Sequence, residues 1–201
     1  MPLSQPTSPR VLKHRRAIQI DAFARDDGLW DIDARISDVK TRDAHLASGS
    51  RPAGSPVHDL LLRLTIDTRF SIVAAEAVSD AVPYPGYCDT IGGAYARLVG
   101  LNLVRGFRKQ LHEVLGGALG CTHLSELAQT LPTVAIQAFA GEVFNPYEAV
   151  AENGKPFQLD QCHALRSEGP AVAKFYPRWA VGQAVQSEPS EVSNVSNTNS
   201  I

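Results

Sequence analysis

From Ile18 to Ile36 the chain alternates apolar and polar residues on either side of one tight turn. Ile18, Ile20 and Ala22 share a parity against Gln19 and Asp21, and Asp26-Asp27-Gly28 follows. Trp30, Ile32, Ala34 and Ile36 then alternate with Asp31, Asp33, Arg35 and Ser37. A period of two sends successive side chains to opposite faces of a strand. An Asp-Gly step suits the positive φ that a short hairpin turn requires. These residues therefore predict a hairpin with one apolar and one polar face. Its apolar face must be covered, and this constrains the rest of the chain.

A third strand reads with Leu60, Leu62, Leu64 and Ile66 on one face and Asp59, Arg63, Thr65 and Asp67 among the other. Asp67-Thr68-Arg69 turns the chain into a fourth strand, Phe70 to about Val78. The segment from Thr41 to Pro56 holds Gly49, Pro52, Gly54 and Pro56 and reads as a loop. After Cys88 the period changes. Ile91, Tyr95, Leu98, Leu101, Val104, Phe107, Leu111 and Val114 step by three or four, which predicts one long amphipathic helix closed by Gly116-Gly117. A second helix is expected from Cys121-Thr122 through Leu124, Leu127 and Leu131. Pro132 must kink it or open a further helix, Thr133 to about Ala140. Strands first and helices afterwards imply an α+β fold, a small antiparallel sheet of about four strands with a helical layer on one face. Residues 1–10 and 182–201 are polar and Ser- or Pro-rich and read as disordered tails, which leaves a single domain over 11–181.

The formal charge is −2, with no basic excess of the kind that marks a nucleic-acid binder. No stretch approaches the roughly 20 apolar residues of a membrane span. The N-terminus shows no apolar core of a secretory signal. A cytoplasmic location is the expectation. There thiols stay reduced, and the three cysteines do not imply a disulfide framework. GxGxxG, P-loop, GxSxG and HExxH motifs are all absent from the sequence.

What chemistry the sequence carries lies beside its cysteines. Cys88 precedes Asp89, Cys121 stands two residues before His123, and Cys162 precedes His163; His58-Asp59 opens the third strand. Cys88 and Cys121 fall at expected helix starts, where the positive dipole end favours a thiolate. His58 shares parity with Leu60, Leu62 and Leu64 and faces the core side, with Asp59 opposite. Metal ligands are sought among His58, Asp59, Cys88, Cys121 and Cys162. Such soft donors suit zinc, iron or an iron–sulfur cluster. Cys121 with His123 or His163 as base, and Asp59 or Asp89 as a general base, form a catalytic alternative. The acidic run Asp26-Asp27, Asp31 and Asp33 reads as a solvated hairpin, and Lys13-His14-Arg15-Arg16 as an exposed basic cluster able to meet a small anionic substrate.

The ordered segments Arg25-Asp26-Asp27-Gly28-Leu29-Trp30-Asp31-Ile32, Pro56-Val57-His58-Asp59 and Gly120-Cys121-Thr122-His123-Leu124 resemble a bacterial family known only as a domain of unknown function, over roughly residues 12 to 180. The order of parts also resembles the U-type iron–sulfur scaffold proteins (IscU, NifU and SufU). In that likeness His58-Asp59, Cys88 and Cys121 take the three ligand positions, with histidine where those proteins have cysteine. It implies a metal-binding protein. The same residues leave two other readings open: a metal- or thiol-dependent hydrolase or lyase acting on a small acid or acyl thioester, and a structural interaction domain with buried cysteines. Oligomeric state is not legible in the sequence.

Overall fold

The computed structural model of the chain describes residues 3–145 and 154–182. It forms two compact units, Met1–Phe144 and Asn145–Ile201. In the first, β1 (His14–Ala24), β2 (Trp30–Lys40), β5 (Pro56–Ile66) and β6 (Ile72–Ala81) make a four-stranded antiparallel sheet in the order β1-β2-β5-β6. The fold is α+β, as expected from strands preceding helices. The hairpin turn closes through Arg25 N donating to Leu29 O at 2.9 Å, with Gly28 at φ 80°.

Register follows from the two-residue period. Ile36 lies opposite Leu60, Ala34 opposite Leu62 and Ile32 opposite Leu64, so the apolar parities of β2 and β5 form one buried face. Tyr95, Phe107, Leu111, Leu124, Leu127 and Phe139 close over it from the helical layer. Each fully buried Leu or Ile there stabilises the fold by about 2 kcal/mol. The other face carries the charges, paired across strands: Arg63 bonds both oxygens of Asp33 at 2.6 Å, and Thr65 Oγ1 donates to Asp31 at 2.7 Å.

Two expectations are corrected. The segment read as a loop contains a small hairpin, β3 (Ala44–Leu46) against β4 (Gly49–Arg51). The single long helix is broken. A 3₁₀ stretch spans Cys88–Leu98, and α1 begins only at Phe107 and runs to Leu115. Between them Gly100 and Gly106 take left-handed φ of 89° and 66°. The intervening chain bonds to the residues at the start of β6: Gly100 N donates to Ile72 O, Ile72 N to Leu101 O and Leu103 N to Phe70 O. The three-four spacing joined residues of two separate pieces, with Leu101 and the exposed Val104 lying in the break between them. Gly92 sits so close to β6 that a Cβ there would lie 2.5 Å from Ala77 O.

A 3₁₀ turn, Gly117–Leu119, leads to α2 (Thr122–Ala128), whose N-cap is Cys121. Pro132 lies in the first turn of α3 (Leu131–Phe139), where its missing N–H costs nothing. In the second unit, α4 (Pro170–Phe175) and a 3₁₀ turn (Pro177–Trp179) follow a loop in which Asp160 accepts from Lys155 and Ser167. Of the expected tails, residues 3–10 are exposed and without regular structure, while 1–2 and 183–201 lie outside the described residues. Among the described residues no helix is long and apolar enough to cross a membrane.

Candidate functional site

Asp38 continues the inward parity of β2 beyond Ile36, so the pleat carries a carboxylate to the edge of the apolar face. It is 3% exposed. Register then supplies its neighbours: Arg16 lies opposite it on β1 and His58 opposite it on β5. A bulge between Asp38 and Val39 bends the ladder at this point.

Arg16 donates from Nε to Asp38 Oδ1 at 2.9 Å and from Nη2 to Oδ2 at 2.8 Å. His14 Nε2 is 3.0 Å from Oδ1 and His58 Nδ1 is 3.1 Å from Oδ2. The helical layer adds α2, which brings His123 Nε2 to 3.8 Å from Oδ2 and places Glu126 under the second end of Arg16, at 2.7 Å. The His58 and His123 rings lie face to face, centroids 3.8 Å apart and tilted by 33°. The start of α2 is held by the buried Tyr95 hydroxyl, which accepts from Cys121 N at 3.2 Å and lies 3.0 Å from Cys121 O and 3.1 Å from Ser125 Oγ.

Electrostatics fix the charge states. Burial by itself pushes the Asp38 carboxyl up, but the Arg16 fork overcomes this and holds it below the usual carboxylate range. Burial drives His58 down, the neighbouring His123 adds to the effect, and Asp38 only partly opposes it. Burial also drives His123 down, with Arg16 adding to it. Both imidazoles are therefore held neutral at pH 7, the form that ligates metal. One atom from each of Asp38, His58 and His123 falls within 4.8 Å of the others, the spacing of a shared ion.

The expected site residues separate. His58 and His123 join the cluster, and Cys121 borders it with Sγ 4.0 Å from His123 Nδ1. Asp59 does not share the site of His58, because adjacent strand residues point to opposite faces; it pairs there with Arg35 at 2.7 and 2.5 Å. Cys88 begins the 3₁₀ stretch and rests half-buried against the core, outside the Asp38 group. Cys162 is exposed in the second unit, where His163 meets Arg166. The acidic residues Asp31 and Asp33 serve the outer face, beside a groove of about 400 Å³ between Asp21, Arg35, Leu61, Arg63, Glu76 and Val78.

The motif reading passed over Asp38 and Glu126 as site residues, and it read His14 and Arg16 only as part of an exposed basic cluster. Two signals point to them. Asp38 is the polar end of an otherwise apolar parity, and counting outward from the Asp-Gly turn sets Arg16 opposite it.

No curated protein and no solved structure matches the chain. A family model described as Protein of unknown function (DUF2889) matches residues 14–137.

Proposed function

The chain belongs to this family of unknown function, whose model spans every residue of the Asp38 cluster, and from that premise we propose that it is a metal-binding protein with its ion at Asp38, His58 and His123. One observation carries the reading: a buried carboxylate and two imidazoles held neutral, from three separate elements, with ligand atoms within 4.8 Å. Two nitrogens and one oxygen suit a single zinc or ferrous ion. They favour such an ion over the thiolate-held cluster that the scaffold likeness implies. A carboxylate offers about four lone-pair sites. Arg16 takes two of them and fixes the orientation of the group, and an ion would take the place of the His14 or His58 contact at the others. With three protein donors the ion keeps a position for water or a carbonyl oxygen, so a hydrolase or lyase acting on a small acid or acyl thioester is the enzymatic form of the proposal.

The test is elemental analysis of protein purified without a chelating tag, aerobically and anaerobically, followed by titration with zinc and ferrous ion. One ion per chain is expected, lost in Asp38→Asn and His123→Ala and retained in Cys88→Ser. Folded protein that neither carries nor takes up either ion would overturn the reading.

A second reading rests on the other side of His123. Cys121 Sγ, the His123 ring and Asp38 stand in the order thiol, imidazole, carboxylate, at 4.0 and 3.8 Å. That is the order of a thiol nucleophile, its base and the group that orients the base. Alkylation kinetics separate the two: under this reading Cys121 reacts faster than Cys88, and the advantage disappears in His123→Ala. Equal rates would remove it.

A further inference from the structure

The sheet has two edges, and they are built differently. On β6 the pairing is irregular at two places, between Asp59 and Leu60 and between Thr65 and Ile66 on its partner strand, and the 3₁₀ stretch Cys88–Leu98 comes close enough for Gly92 to meet Ala77 O. Bulges and a covering element are the usual means of blocking a strand edge. β1 has neither. It pairs with β2 through all eleven residues without a register shift, and no described strand lies along its outer side. The preceding residues do not fold back over it, since Leu12 O and Lys13 O accept from Thr41 at the end of β2. From His14 to Ala24 the strand contains no proline, glycine or lysine. Ile18, on the core-facing parity, is still 42% exposed.

We propose that β1 pairs antiparallel with β1 of a second copy about a two-fold axis at Ile18, joining two four-stranded sheets into one of eight strands. The sequence of the strand selects the register. With Ile18 opposite its own copy, Arg15 faces Asp21 of the partner on the polar side, twice by symmetry, and the two Ile18 side chains meet on the apolar side. A slip by one residue would put each side chain on the wrong face. A slip by two in one direction sets Arg15 opposite Phe23 and Asp21 opposite Ala17; in the other it sets Arg15 opposite Gln19 and leaves Asp21 only Lys13, which lies before the strand. In the single chain these charges are free for the role: among the described residues Arg15 makes no polar contact, and Asp21 accepts only from the neutral amide of Gln19. Arg16 is already committed to Asp38 and Glu126. The two-fold axis stands perpendicular to the sheet, so both helical layers lie on the same side of the joined sheet. The inference is independent of any metal at Asp38.

The experiment is sedimentation velocity and light scattering of the full chain from micromolar to submillimolar concentration. Wild type is expected to dimerise reversibly. Arg15→Glu and Asp21→Arg each place like charges opposite one another twice and weaken the dimer by about tenfold or more. The double variant Arg15→Glu/Asp21→Arg restores it. Mixing the two single variants is the sharpest arm, because each supplies the charges the other lacks and the heterodimer forms in preference to either homodimer. If circular dichroism shows a charge variant unfolded, Ile18→Lys replaces it, since residue 18 faces its own copy and two ammonium groups would meet. A wild type that stays monomeric throughout, or folded single variants that dimerise like wild type, overturns the proposal.

Discussion

Arg16 and Asp38 form a two-pronged ion pair at 2.9 and 2.8 Å across neighbouring strands, with the carboxylate buried at the rim of the core. A buried charge is tolerated only when it is paired and hydrogen-bonded, and removing either partner leaves the other uncompensated. Asp38→Asn is expected to lower stability by about 2–3 kcal/mol. Urea denaturation should show this as a lower midpoint at unchanged slope.

The same pair opposes a metal ion, because the guanidinium and the ion compete for one carboxylate. Arg16→Gln removes that competing charge. It is expected to raise the affinity for zinc by about tenfold while lowering stability. Isothermal titration of both proteins measures the first effect; a variant that binds zinc more weakly would show that Arg16 supports the ion instead.

His58 and His123 give stability a pH dependence whose sign can be worked out. Their pKa values in the folded protein lie below the ordinary 6.5, so the unfolded chain takes up protons first as pH falls. Their contribution is fully present above about 6.5 and is lost as pH drops through the lowered folded values. The urea midpoint of wild type is expected to fall between about pH 7 and pH 5. A His58→Asn/His123→Asn double variant should show a flatter profile over that range. Metal affinity should decline over the same interval, since protons and metal compete for the imidazoles.

Tyr95→Phe isolates the support beneath α2. It removes one hydroxyl from a fully buried ring and leaves Cys121 N without its acceptor. A loss of about 1–2 kcal/mol is expected. Alkylation of Cys121 should also become faster as the helix start loosens.

Gly92 and Gly93 provide a paired test of the 3₁₀ stretch. A Cβ at Gly92 would lie 2.5 Å from the Ala77 carbonyl oxygen, whereas one at Gly93 meets nothing within 4 Å. Gly92→Ala is expected to cost about 1–3 kcal/mol and Gly93→Ala to be neutral or slightly stabilising. Thermal melts of the two variants give the comparison directly.

The pattern of residues made the sheet legible. The parities of Ile32 to Ile36 and Leu60 to Ile66 gave strands and faces, and the Asp-Gly step gave the hairpin register. The same parity placed His58 on the core side and Asp59 away from it. The helix break between Leu98 and Phe107 was hidden, because its cause is the set of hydrogen bonds that Gly100, Leu101 and Leu103 make to Phe70 and Ile72, distant in sequence.

For the candidate site, the sequence by itself fixed which side chains point inward, since alternation is a local property of each strand. It did not decide which of them meet. His14, Arg16, Asp38, His58 and His123 come from three strands and one helix, and their distances depend on pairing and on where α2 settles over the sheet. Tertiary structure decided that His14, Arg16, His58 and His123 gather around Asp38, because a buried carboxylate needs cations and donors around it.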